Sequence, residues 1–253
     1  MNKQIELINW NAQVFSHAKG WFQPIEDFDS DICVITECLS SEFEITKSKL
    51  LSKKLGYKQV FVSDYIKNIS VLLATKDPNA KMFHASECMV GVTTHNIDIL
   101  SLFCAKELKN DFFNIVLGIC DHHELINKRS AIIGDFDHGP KLGKFVKKDK
   151  KNFLAKNDGY EELEPLESAG WQNLWKEKYY PKEITTDNLE KYYTGSWTCH
   201  LLKRWGPNKG FSLVDHFYYS PPLKDSLMTK PEIIHCVRGS FTDHSLLQYQ
   251  VKQ

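Results

Sequence analysis

Apolar and polar residues along the chain alternate in short runs broken by polar turns. The first run, Gln4 to Trp10, has the pattern of a strand. It is followed by an aromatic-rich stretch, Val14 to Phe28, with helical character. Ile32 to Thr36 predicts a second strand and Ser41 to Leu55 a helix. Gln59 to Ser63 and Ser70 to Thr75 predict a strand pair. Ile97 to Ala105 and Phe112 to Cys120 read as another pair, joined by the polar turn Lys106 to Asp111. Ala131 to Gly134 is a short, wholly apolar run, as expected of a buried strand. Glu161 to Lys176 predicts a helix interrupted at Gly170, Phe211 to Ser220 a strand, and Leu246 to Val251 the last strand. Many strands with a few interspersed helices predict an α/β (α+β) layered domain. No repeat or low-complexity break divides the 253 residues, so one domain over 1–253 is expected.

Several of these runs stop at a carboxylate or an amide. The first ends at Asn11 and the second at Glu37. Ala131–Gly134 ends at Asp135, with Asp137 two residues on. Phe211–Val214 ends at Asp215, and Phe241-Thr242 leads into Asp243-His244. Open sheets place their sites at strand ends along one edge. Carboxylates gathered there repel one another unless a cation neutralises them, and oxygen donors suit Mg²⁺ or Mn²⁺ better than zinc. Such a centre suits hydrolysis of phosphate esters, with a metal polarising the phosphoryl group and a His–Asp pair contacting it.

The same residues carry a family resemblance. Asn9-Trp10-Asn11, Asp31 to Glu37, Gly134-Asp135-Phe136-Asp137, Val214-Asp215-His216-Phe217 and Ser240 to Leu247 resemble, in order, five motifs of the endonuclease/exonuclease/phosphatase superfamily. A Glu after an apolar run is ordinarily just the first solvated residue of a loop; five such motifs in the right order carry more weight than any one. The resemblance implies a four-layer sandwich of two mostly antiparallel sheets packed face to face, with helices outside. It implies that Glu37 binds Mg²⁺ (or Mn²⁺) and that Asp243 is a second carboxylate beside the metal. Asn11 would hold the network and the phosphate, and Asp135 would position or deprotonate water. His244, oriented by Asp215, would contact the scissile phosphate.

Two positions depart from the pattern. Asp137 stands where the family has Asn. An amide both donates and accepts, whereas an ionised carboxylate only accepts, so Asp137 either binds metal or is protonated. The family also places a Tyr or His at the end of the preceding strand. With Phe112–Cys120 as that strand, the position falls on Ile119 or Cys120, or on His122 after a slip in register. The pair Asp215-His216 replaces the Asp-Tyr more usual in abasic-site enzymes, which speaks against that specialisation. Two other phosphatase patterns fit poorly. Asp121-His122-His123 lacks the preceding D-x-D strand end of its class. Asp135-Phe136-Asp137 sits mid-chain and lacks the Gly-Thr of the haloacid-dehalogenase type.

Composition narrows the substrate only slightly. Net charge is zero, so a nucleic acid would have to be held by a local patch. Lys141, Lys144, Lys147, Lys148, Lys150 and Lys151 could form a phosphate-tracking patch or a plain solvated face. Trp197, with Lys203 and Arg204 nearby, could stack on a base or pack in a loop. A nuclease acting on DNA or RNA is the leading expectation. A phosphatase or phosphodiesterase for a small molecule or lipid headgroup is the second, and a non-catalytic binding module the third. No apolar run approaches the ~20 residues that span a bilayer, and no signal peptide is apparent. Seven cysteines without a CxxC are expected as buried thiols in a reducing cytoplasm.

Overall fold

The computed structural model describes residues 4–12, 23–39, 51–64, 66, 69–138, 141–142, 163–175, 199–201, 210–212, 214–228, 232–234, 244 and 246–253. Two six-stranded sheets dominate it. The first comprises β1 (Gln4–Asn11), β2 (Ile32–Leu39), β3 (Gln59–Val62), β4 (Ile69–Thr75), β14 (Glu232–Ile234) and β15 (Leu246–Lys252), in the order β14-β15-β1-β2-β4-β3. The second comprises β5 (Lys81–Ser86), β6 (Met89–Thr94), β7 (Ile97–Phe103), β8 (Ser130–Asp135), β10 (Gln172–Asn173) and β13 (Asp215–Tyr219), in the order β10-β13-β8-β7-β6-β5. A small sheet joins β9 (Lys141–Leu142), β11 (Cys199–Leu201) and β12 (Gly210–Ser212). Only β1–β2 and β7–β8 are parallel among the ladders described.

The strands read as almost continuous apolar runs because both faces of each sheet are covered. From β1, Ile5 and Leu7 point into the layer between the sheets. There they meet Ile32 and Val34 of β2, Ile99 of β7, Ile133 of β8 and Phe217 of β13. Ile8 and Trp10 point the other way, toward Ile25 of the helix α1 (Gln23–Phe28). On the far side of the second sheet, the helix α2 (Phe112–His122) packs on Leu100, Leu102 and Ile132. Helix, sheet, sheet, helix is the four-layer arrangement expected.

One sequence expectation fails, and the failure shifts the site. Phe112–Cys120 is a helix, not a strand. Its buried residues, Phe112, Val116, Ile119 and Cys120, recur at helical spacing and form one stripe against the sheet. A helix is also what the topology requires here, because β7 and β8 are parallel and their connection must cross over. His122 therefore ends a peripheral helix, exposed and against His123. It does not take the place expected of it before Gly134-Asp135. On the β7 side, the residue whose Cα lies opposite Asp135 is Phe103, the last of that strand.

Two further elements differ. The helix expected from Glu161 is α3 (Glu164–Ser168), and it stops early because Gly170 takes a left-handed φ of 92°. The Gly170 and Trp171 amides donate back to Glu167 and Leu166, closing the helix end. Phe211–Ser220 is not one strand: it contributes β12 to the small sheet and β13 to the second large one. The hairpin β5–β6 was not anticipated.

Candidate active site

The strand ends converge on one edge. Asn11 closes β1, Asp135 closes β8, and Asp215 opens β13 directly opposite Asp135 in the antiparallel ladder. Asn11 reaches across the sandwich, its Nδ2 donating to Asp135 Oδ2 at 2.7 Å. The other Asp135 oxygen accepts the Asp137 backbone N–H at 2.8 Å. His244 Nδ1 lies 2.8 Å from Asp215 Oδ2; a carboxylate accepts, so the imidazole donates. That bond leaves His244 Nε2 turned toward Asp135 Oδ2, 3.9 Å away. All four side chains are buried.

The local sequence explains how this geometry is held. Gly134 precedes Asp135 because a Cβ there would stand 1.9 Å from the Leu102 carbonyl oxygen, and its φ is 148°. Phe136 N–H donates to the Val214 carbonyl, and Cys104 N–H to the Asp135 carbonyl, so β8 is pinned to both neighbours past its last residue. His216 faces away from the centre. Its Nε2 donates to the His138 carbonyl at 3.0 Å, so Nδ1 accepts from Asn173 Nδ2 at 3.2 Å. It braces the segment after Asp135.

Glu37 and Asp137 sit at the rim, and both have positive φ, 52° and 45°. Left-handed backbone in residues other than glycine is uncommon and costs free energy, so two cases beside one centre are informative. At Glu37 it coincides with a shift in the β2–β4 register between Ile35 and Cys38. Glu37 is half-buried and close enough for its charge to act on Asp135. Asp137 pairs with Lys109, Nζ to Oδ2 at 2.9 Å.

Electrostatics follow from this crowding. Burial raises the Asp135 pKa well above the usual carboxylate range, and the charges of Asp215 and Glu37 raise it further; His244 and the Asp137 amide act against the rise. Asp135, Asp215 and His244 each offer a ligand atom within 4.8 Å of the others, so the group could hold a metal ion.

Of the residues singled out in the sequence, Asn11, Asp135, Asp215 and His244 are brought together, with Glu37 and Asp137 at the edge. His122 is elsewhere. Asp243, Trp197, Lys147 and Lys148 lie outside the described residues. Sequence reading passed over Phe103 and Lys109. The helical spacing of Phe112, Val116 and Ile119 was the available signal. It moves the strand before Asp135 back to β7, which puts Phe103 beside Asp135 and Lys109 on the turn that follows.

The two-sheet sandwich is the DNase I-like fold. No family model matches the chain, and no curated protein matches it. Solved structures do. The chain is similar to a Neisseria 3′ phosphatase, NExo, bound to a product DNA hairpin. The TM-score is 0.70 at 12% identity, with 98% of this chain and 100% of the other covered. It is similar to the 3′-5′ exonuclease NExo from Neisseria meningitidis, with a TM-score of 0.68 at 10% identity over 98% and 100% of the two chains. It is also similar to an AP endonuclease from Archaeoglobus fulgidus, with a TM-score of 0.64 at 12% identity over 97% and 98%. Among the described residues, no helix is long and apolar enough to cross a membrane.

Proposed function

We propose that the protein is a divalent-metal-dependent phosphoesterase, and specifically a nuclease that hydrolyses DNA or RNA phosphodiesters, with residues 1–253 forming a single catalytic domain. The observation that carries this reading is the pair of buried contacts Asn11–Asp135 and His244–Asp215, set 3.9 Å apart at the strand-end edge. An oriented imidazole beside an oriented carboxylate suits a centre that grips a phosphate and directs water at it.

A hard cation fits these residues. The donors are mainly carboxylate oxygens, and the charges of Asp215 and Glu37, which act on buried Asp135, are ones a cation would offset. By the motif resemblance, Glu37 and Asp243 would hold Mg²⁺ or Mn²⁺, and the buried group Asp135, Asp215 and His244 also offers ligand atoms within 4.8 Å of one another. When bound, the ion would supply charge to the phosphoryl oxygens. The rest falls to the chain. Asn11 fixes one Asp135 oxygen and the Asp137 amide the other, so the carboxylate can hold a water at a set angle. His244, with its Nδ1 proton on Asp215, presents Nε2 to a phosphate oxygen.

Two features favour a polynucleotide. One is the lysine run that follows Asp137 in the sequence. The other is the likeness to an exonuclease, an AP endonuclease and a 3′ phosphatase bound to a DNA product. The 3′ phosphatase supports a second reading, hydrolysis of a terminal phosphate monoester. Cys33, Cys38, Cys88, Cys104 and Cys120 are buried and form no disulfide, which suits a reducing cytoplasm.

The test is incubation with labelled single-stranded DNA, duplex DNA, RNA and a bis-aryl phosphodiester, with Mg²⁺, Mn²⁺ or EDTA. Metal-dependent chain cleavage, lost in His244→Ala and Glu37→Ala, is expected. Activity confined to monoesters would sink the nuclease reading, and no turnover with any metal would leave a binding module.

A further inference from the structure

The geometry points to Lys109 as a further substrate-binding residue: a cation that Asp137 holds at the mouth of the site for a phosphate oxygen. The inference rests on the phosphoesterase reading above and deepens it.

Asp137 lies just beyond Asp135. Its amide donates to one Asp135 oxygen, and its own side chain, 48% exposed, turns outward. The charges of Asp215 and Glu37 both act on Asp135, and the Asp137 carboxylate follows two residues on. A phosphate ester is itself an anion. A metal ion would answer part of that negative charge, but the Asp137 carboxylate adds to it two residues beyond Asp135. Lys109 cancels it, with Nζ 2.9 Å from Asp137 Oδ2.

The backbone that carries Lys109 is well held. Cys104 N–H donates to the Asp135 carbonyl at 2.8 Å, tying the turn to the strand that carries the site. Leu108 N–H bonds Ala105 and Asp111 N–H bonds Leu108, closing the turn on itself. Leu108 packs against both the inner core and the core under α2. The Cα of Lys109 is thus set by its neighbours, and its side chain is 39% exposed. An ammonium is a compact charge with three donors, so it can keep Asp137 and take a phosphate oxygen together. Ion pairs this open to water contribute little to stability. What sets this pair apart is its tie to Asp135 through the Asp137 amide.

The experiment is a cycle of Lys109→Met, Asp137→Asn and the double variant in the full chain. KM and kcat are measured on the bis-aryl phosphodiester and an oligonucleotide. Binding of inorganic phosphate to the Mg²⁺-loaded protein is measured by calorimetry, and Tm is recorded for each. Loss of one charge-assisted hydrogen bond predicts that Lys109→Met raises KM and weakens phosphate binding roughly tenfold, with Tm unchanged. Asp137→Asn leaves the ammonium to the phosphate and lowers KM. The double variant recovers most of the Lys109→Met loss, because no uncompensated carboxylate remains at the mouth. An additive cycle, or phosphate binding unchanged in Lys109→Met, overturns the assignment. If the wild type turns over no phosphate ester, the phosphoesterase reading fails, and the phosphate titration still decides Lys109 separately.

Discussion

The interior of the centre and its rim are organised by different means. Inside, Asn11, Asp135, Asp215 and His244 are buried and held by side-chain hydrogen bonds of 2.7 and 2.8 Å. At the rim, Glu37 and Asp137 are half-exposed and placed by backbone in the left-handed region. Buried hydrogen-bonded groups keep their geometry before substrate arrives, which is what orientation of water and phosphate demands. Groups at the rim can adjust, which suits capture of a cation and an anion. The contrast teaches that the interior should govern kcat and the rim should govern binding.

The sharpest way to break that division is at His244. His244→Ala and Asp215→Asn are each expected to lower kcat by roughly 10² to 10⁴-fold with KM little changed, as for loss of an oriented acid–base group. Steady-state kinetics beside the Lys109 variants decides it; a KM effect larger than the kcat effect would erase the distinction. Next comes Gly134→Ala. The added carbon meets the Leu102 carbonyl, so a loss of about 1–3 kcal/mol is expected, or several degrees in Tm by thermal melting. A Tm equal to the parent's would show that β8 is not pinned as described.

The smallest expected effect concerns pH. The folded pKa of Asp135 is raised, first by burial and then by Asp215 and Glu37. Between the unfolded value of about 3.9 and the raised folded value, the native state binds more protons than the unfolded one. Stability in EDTA should therefore fall as pH rises through that window. Asp135→Asn should flatten the fall, and Mg²⁺ should offset it most at the alkaline end. A Tm in EDTA that rises with pH across the window, relative to Asp135→Asn, would show that the crowding is already neutralised by the protein.

Much of this was legible in the chain because strand ends leave a local mark. An apolar run that stops at Asn11 or Asp135 records where the strand stops; β2 instead runs on past Glu37 to Leu39, and Asp215 opens β13 and does not close the run before it. Phe112–Cys120 was misread for a physical reason. A short apolar run fits a strand or a buried helix equally until the spacing of Phe112, Val116 and Ile119 is weighed. That misassignment puts His122 where the structure has Phe103. Lys109 was illegible for another reason. Its partner is 28 residues away, and nothing in a polar turn marks which lysine will face a carboxylate. The left-handed backbone at Glu37 coincides with a register shift between strands, which the residue type does not announce.

The pairing of β1 with β15, Gln4 opposite Lys252, has a kinetic consequence. The two strands that bear or adjoin Asn11 and His244 come from opposite ends of the sequence, and the Asn11–Asp135 bond spans 124 residues. Contacts so distant form after the local ones, because the entropy of closing the chain must be met first. The unit β7–α2–β8 can gather Phe103, Lys109, Asp135 and Asp137 early and on its own. Asn11 and His244 join only when the first sheet closes around its central strands. Competence to react would then appear in the last step of folding, and a chain still emerging from synthesis would carry half a centre and no reactivity.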